Sequence, residues 1–419
     1  MKIAFISYEY PPDTAYGGIA TYVYQAARML QQRGHHVEVF TGSERRSGME
    51  TEDGVIVHRL LETNQKKFVE LVGDIFAERH QKVKFDILEG PDCLAEARTA
   101  VAKVPDIPLV LKLHTPAILL LKLNYYEPDF RKKIIFFLKS LLHLKLPAWG
   151  YNHEFNRHRK HTLKINKIER LHALEADEIV SPSQDLGQKM MAEWGLNREI
   201  VTCVPYPYTP LEKLLEIPVN TETNVVSFIG RLEVRKGVID LANAIPLILR
   251  HHPQVKFKLV GGVEPSPLPH INMQEYLENM LQPVINSIEF VGGVSPEEIP
   301  NVLAQTDICV FPSLWENFPC VCLEAMAAGR AIVGSNAGGM LDMLDGGRVG
   351  KLVSPRHPQQ IADAVCDLLT NPQLRIKLGE LAREYLLNNY NAHRISELQE
   401  ASYQRAITRR KKLGKRQKN

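Results

Sequence analysis

The sequence predicts an α/β chain of two Rossmann-like, parallel-sheet domains, and three observations carry that expectation. At 419 residues the chain is longer than one hydrophobic core usually serves. Short β-branched runs alternate with amphipathic stretches in two successive series, the pattern of parallel sheets covered on both faces. Between the series lies VPYPYTPLEKLLEIPVNTETN, rich in proline and polar residues, which reads as a linker.

The first series opens with KIAFISY, an apolar run of the kind a strand buried on both faces shows. A loop holding Pro11, Pro12, Gly17 and Gly18 leads into IATYVYQAARMLQQRG, apolar at helical spacing and closed by Gly34 at a C-cap position. HVEVFT, VIVHRL, DILEG, PLVLKLHT and EIVSPS are further strand candidates. The second series runs through NVVSFIGRL, VKFKLVGG, SIEFVGG, DICVFPS and AIVGSNAGG. These readings divide the chain into a first domain at 1–205, a linker at 206–223 and a second domain at 224–386.

Composition excludes several classes. With 44% hydrophobic and 24% charged residues the chain is that of an ordinary globular protein, neither disordered nor fibrous. Six scattered cysteines without a CxxC pair fit buried thiols in a reducing compartment. The N-terminal MKIAFISYEY is a poor signal peptide, and no run reaches the roughly 18 apolar residues of a membrane span. A cytoplasmic location is the expectation. Net charge is +3, but residues 131–170 carry +9 and the tail 405–419 carries +8, leaving −14 to the rest. Such segregation points to an anionic partner, or in the tail to a solvated, frayed end.

Residues 116–172 break the strand–helix alternation. RKKIIFFLKSLLHLKLPAW places Ile134, Phe137, Leu138, Leu141 and Leu142 at 3/4 spacing with Lys133 and Lys139 elsewhere on the wheel. That suits a helix lying on an anionic membrane surface, or a core helix whose lysines snorkel.

Four clusters could do chemistry. In YGGIATYV, Gly17 and Gly18 open a helix after the first strand, where backbone N–H groups can approach a phosphate. The stretch is not GxGxxG, which disfavours a hydride-transferring Rossmann enzyme. In GRLEVRKG, Arg231 and Lys236 leave the first strand of the second domain, suiting a diphosphate, although an isolated Arg and Lys are ordinarily two surface charges. In SLWENFPCVCLEAMAAG, Glu316 lies in a loop, and Glu324 is expected at the start of the following helix. One carboxylate can accept two hydrogen bonds from a ribose diol, and another can serve sugar hydroxyls or positive charge at an anomeric carbon. His114, in LKLHTPA, stands at the end of an apolar strand, where a histidine serves structure as readily as function.

Together these motifs resemble the GT-B glycosyltransferases, in particular retaining family 4, over nearly the whole chain. ENFPCVCLE matches that family's E-x7-E signature, and EAMAAGRAIVGSNAGG its usual continuation. The resemblance implies the GT-B fold, with its two domains facing an interdomain cleft. It implies a helix at 387–405 crossing back to the first domain, before a basic tail at 406–419. By resemblance, Arg231 and Lys236 hold the donor's pyrophosphate and Glu324 its ribose. Glu316 and the backbone amides of Asn317 and Phe318 serve the donor sugar, His114 lies near the reacting centre, Gly17 and Gly18 bind the donor with Gly18 by the β-phosphate, and backbone groups of Val294 meet the nucleobase. It further implies retention of anomeric configuration. No two aspartates are two apart, so a DxD metal motif is absent and no metal or other cofactor is expected. The expected partners are a nucleoside-diphosphate sugar and a glycan or lipid-linked acceptor, with no nucleic acid. A GT-B sugar-nucleotide epimerase and a non-catalytic sugar-nucleotide binder are the alternatives. One departure is Asp342, in MLDML, where relatives commonly place a glutamate after NAGG.

Overall fold

The computed structural model describes residues 1–14, 17–124, 148–268 and 271–417, the side chains of residues 124, 148–156 and 158 excepted. Among these, eight strands form the first sheet: β1 Lys2–Ile6, β2 His36–Ser43, β3 Gly48–Glu52, β4 Val55–Leu61, β5 Ile87–Pro91, β6 Leu109–Lys112, β7 Glu178–Ser181 and β8 Val201–Cys203. Their order is β3-β4-β2-β1-β5-β6-β7-β8, parallel except for the β3–β4 hairpin. Asp53 and Gly54 turn that hairpin with φ of 48° and 80°, the left-handed pair a tight two-residue turn requires. The second sheet has β9 Val225–Ile229, β10 Lys256–Val260, β11 Ile288–Gly292, β12 Ile308–Phe311, β13 Ala331–Ser335 and β14 Lys351–Val353. It is parallel throughout, in the order β11-β10-β9-β12-β13-β14.

Each sheet reverses direction about its first strand, β1 between β2 and β5, β9 between β10 and β12. Ligands of open parallel sheets gather outside the carboxyl ends of strands at such reversals. Strands β5, β9, β12 and β13 are buried along their whole length, in β5 together with Glu89.

The linker is held by arginines. Arg330 donates to Pro218 O, to Thr221 Oγ1 at 2.7 Å and to Thr306 O at 2.9 Å. Arg375 donates to Thr221 O at 2.6 Å and Arg383 to Ile217 O at 2.7 Å. Charged donors on these carbonyls fix the path between domains.

The returning helix runs from Ala392 to Leu413, not over 387–405, and absorbs most of the expected tail. Tyr403 donates to Glu89 Oε2 at 2.8 Å, and Arg33 forks onto Glu400 with two bonds of 3.0 Å. The solvated-tail expectation is overturned at its arginines. Asp177 and Glu178 are fully buried beside β7 and need counter-charge. Arg410 and Arg416 reach Asp177 at 2.7 and 2.6 Å, and Arg405 and Arg409 reach Glu178 at 2.7 and 2.8 Å.

The amphipathic helix expected around residues 134–142 lies outside the described residues. After it comes a helix at Ala148–Glu175, which turns Leu163, Ile168, Leu171 and Leu174 to solvent.

Candidate active site

The second-domain wall is built where β9 and β12 end side by side. After β9 the chain turns at 234–236 and reaches Gly237 at φ 71°. A Cβ there would stand 2.0 Å from Pro312 O, so only glycine lets this turn lie against the loop that follows β12. Leu314 N donates to Arg235 O at 2.8 Å and locks the two together. As a result Lys236 Nζ and Arg235 Nη1 both meet Glu316 Oε1 at 2.7 Å. Arg235 also donates to Glu233 at 2.7 Å and is buried. Burial alone would raise the Glu316 carboxyl, but Lys236 and Arg235 outweigh it and hold it below its ordinary pKa. Among the described residues Glu316 Oε2 has no hydrogen-bond partner.

Arg235 is the residue that sequence reasoning missed. Of the three cations in GRLEVRKG, Arg231 is the outward one, 56% exposed and only loosely paired with Glu233 at 3.3 Å and Glu264 at 3.5 Å. The structure thus joins Lys236 to Glu316 and leaves Arg231 at the rim.

Glu324 is placed differently from the expectation. The helix Cys320–Ala327 starts after Pro319, so Glu324 is its fifth residue, not its first. Its backbone N–H is therefore no longer an N-terminal orphan. Burial pushes its carboxyl up to about 7, and among the described residues it has no hydrogen-bond partner. Phe318 is a buried ring, edge-on to Tyr206 at 5.6 Å and Tyr390 at 5.2 Å. Among the described residues the backbone N–H groups of Asn317 and Phe318 bond to nothing else. Val294 follows β11 at the sheet edge and packs against the core that holds Phe318.

The first-domain wall centres on His114, two residues past β6. It is buried, and burial with the nearby Lys112 charge pushes its pKa down to about 3, so the ring is neutral. Its N–H donates to Asp92 Oδ1 at 3.0 Å, and Tyr206 Oη lies 2.7 Å from Nδ1. Asp92, in turn, is pushed well above its ordinary pKa by burial and the Glu169 charge. Gly17 and Gly18 stand exposed at the start of the helix Gly18–Gln32, as expected. Nothing local in the sequence marks Glu9 as lying at that helix end, where a Cβ on Gly17 would stand 3.9 Å from its Oε2 and burial raises its carboxyl. No bond among the described residues joins Gly17 or Gly18 to the Glu316 cluster.

Hydrogen bonds between the domains close the walls on each other. Asn317 Nδ2 donates to His114 O at 2.6 Å, and Trp315 Nε1 to Asp185 Oδ2 at 2.6 Å. Asp342 Oδ2 accepts from Gln184 N at 2.7 Å, capping a first-domain helix, Gln184–Trp194, from the second domain. Gly338 and Gly339 lie against the Glu316 loop, where added Cβ atoms would stand 1.9 Å from Glu316 O and 1.7 Å from Asn317 O. The result is a crevice with a compensated carboxylate and a lysine on one wall and a neutral imidazole on the other.

Comparison with known proteins matches residues 16–208 to Glycosyltransferase Family 4 and residues 223–371 to Glycosyl transferases group 1. An uncharacterized glycosyltransferase of Methanocaldococcus jannaschii is 25% identical over 410 residues, covering 93% of this chain and 92% of that protein. Sucrose-phosphate synthase from Thermosynechococcus elongatus shares the fold at a TM-score of 0.71 and 20% identity, over 97% of this chain and 99% of that one. The Anabaena protein HepE, solved with UDP-glucose, aligns at a TM-score of 0.63 and 17% identity, over 96% and 100%.

Proposed function

The chain belongs to the group 1, family 4 glycosyltransferases, and we propose that it moves a hexose from a nucleoside-diphosphate sugar to an acceptor hydroxyl, with retention and without a metal. The observation that carries this reading is the 2.6 Å bond from Asn317 to His114 O, which brings the Glu316 loop and the His114 loop to one crevice. HepE, which binds UDP-glucose, shares this fold, and that supports a nucleotide-sugar donor.

In this reading Glu324, buried without a partner, accepts the two ribose hydroxyls. Lys236 and Arg231 neutralise the diphosphate, and Gly17 and Gly18 approach its β-phosphate. Glu316 Oε2 and the free N–H groups of Asn317 and Phe318 meet the sugar hydroxyls. Backbone groups of Val294 meet the base, and His114 faces the sugar from the opposite wall. The bond from the anomeric carbon to the β-phosphate oxygen breaks, and its electron pair stays on that oxygen. The acceptor hydroxyl attacks from the same face and gives its proton to the departing phosphate. The cations stabilise the charge that builds there.

The acceptor class we propose is a lipid-linked or cell-envelope glycan at an anionic membrane surface. No helix among the described residues is long and apolar enough to cross a membrane. Support for peripheral contact comes from the helix Ala148–Glu175, where Leu163, Ile168, Leu171 and Leu174 are exposed together with Lys160, Lys164 and Lys167. Changing those three lysines to Glu should reduce pelleting with phosphatidylglycerol vesicles. Unchanged pelleting would remove this surface from the reading.

The donor assignment is tested by calorimetric titration with UDP, GDP and ADP, with and without EDTA, on wild type and Glu324→Ala. One nucleotide should bind at micromolar strength, indifferent to EDTA, and about tenfold more weakly in the variant, the loss expected of a hydrogen bond to a charged group. Binding abolished by EDTA would overturn metal independence. Binding of none would overturn the donor site.

A further inference from the structure

His114 has four polar positions, and three are committed. Its N–H donates to Asp92 Oδ1, its carbonyl accepts from Asn317 Nδ2, and Nδ1 faces Tyr206 Oη. Nε2 is buried and has no partner among the described residues. Which ring nitrogen carries the proton follows from the bonds around it.

The chain of inference starts at Ser183. Its Oγ accepts from Leu186 N at 3.3 Å and donates to Asn317 Oδ1 at 3.2 Å. That fixes the Asn317 carboxamide with Nδ2 toward His114 O, since the flipped amide would press two acceptor oxygens to 2.6 Å. Tyr206 Oη then meets Asn317 Nδ2, a donor, at 3.5 Å and His114 Nδ1 at 2.7 Å. The phenol proton has one acceptor among these, Nδ1. A neutral imidazole that accepts at Nδ1 carries its proton on Nε2, and a buried N–H without an acceptor is costly unless a ligand supplies one.

We propose that Tyr206 and Asn317 are positioning residues that hold His114 as the Nε2–H tautomer, so that it donates a hydrogen bond to a hydroxyl oxygen of the transferred sugar. The proposal rests on the nucleotide-sugar reading of the crevice. Ser183 and His114 come from the first domain, Tyr206 from the linker and Asn317 from the second domain. The Ser183–Asn317–His114 part of the chain is therefore complete only when the domains are closed, while the Tyr206–His114 bond joins the linker to the first domain.

The test uses the full-length protein labelled with ¹⁵N-histidine, with His114 signals assigned through His114→Gln. Wild type should show a pyridine-type Nδ1 and a protonated Nε2. Tyr206→Phe keeps the ring against Tyr22 and Phe318 and removes only the hydroxyl. It should give a mixture of tautomers and lower kcat about tenfold, the rate equivalent of one neutral hydrogen bond, with nucleotide affinity unchanged. A protonated Nδ1 in wild type overturns the proposal, whether or not the variant folds. So does a Tyr206→Phe protein that keeps both the tautomer and kcat. Wild type with the expected tautomer but no affinity for UDP-, GDP- or ADP-sugars sinks the donor reading instead.

Discussion

Glu316 in the second domain and Asp92 in the first are both buried carboxyls beyond the end of a parallel strand, yet their surroundings push them in opposite directions. Glu316 sits below its ordinary pKa and Asp92 well above it. The difference lies in the partners. Glu316 has two cations at 2.7 Å, whereas Asp92 has backbone N–H donors and the repelling charge of Glu169. Other acids near Asp92 behave like it, Glu96 and Glu169 each being pushed by burial to about 7. The second-domain wall thus carries a preassembled counter-charge, as recognition of an anion requires. The first-domain wall collects groups that stay neutral or titrate near neutrality, which suits hydroxyl-bearing ligands.

The largest effect should come from breaking the compensated side. Arg235→Met leaves Glu316 with Lys236 alone and Glu233 with only the looser Arg231 contact at 3.3 Å, and the loss of one partner of a buried ion pair costs about 3 kcal/mol. Because the folded Glu316 pKa is depressed, its contribution is present above the unfolded value of about 4.3 and is lost as pH falls through the folded value. The penalty measured by urea unfolding should therefore be full from pH 7 down to about 4.3 and shrink only below that. Asp92→Asn, by contrast, removes a carboxyl whose charged form burial and Glu169 already disfavour, and should change stability by less than about 1 kcal/mol. Equal penalties for the two variants would abolish the distinction between the walls.

The same contrast explains what was legible in the sequence. The strands, the linker and the motif-bearing loops could all be read, because a buried parallel strand and a glycine-marked turn are local signals. Lys236 and Glu316 were found that way, and they do meet. Arg235 was not, since no local pattern tells which cation of three turns inward; the approach of Gly237 to Pro312 O decides it. Glu324 was set one helical turn too early because the helix starts at Cys320, directly after Pro319, and not at the glutamate. The arginines of the tail were read as solvated for a similar reason. Their acids, Asp177 and Glu178, lie more than 220 residues away in sequence, so the pairing exists only in the fold.

Glu324 offers a smaller effect and a finer test, because it belongs to the second-domain wall but behaves like the acids of the first. Nothing among the described residues compensates it, and burial alone sets its pKa at about 7. If its work is to accept hydrogen bonds from a ribose diol, the ligand supplies what Arg235 and Lys236 supply to Glu316. Binding then favours the carboxylate and lowers its pKa in the complex. The sign follows directly: nucleotide affinity should fall as pH drops below about 7, by about tenfold between pH 8 and 6, while Glu324→Gln binds weakly at both. Calorimetry at several pH values in buffers of different ionisation enthalpy would also register proton release on binding near pH 7. An affinity that rises on acidification would mean that Glu324 serves the ligand as a protonated donor, and the ribose assignment would have to move to another group on the same wall.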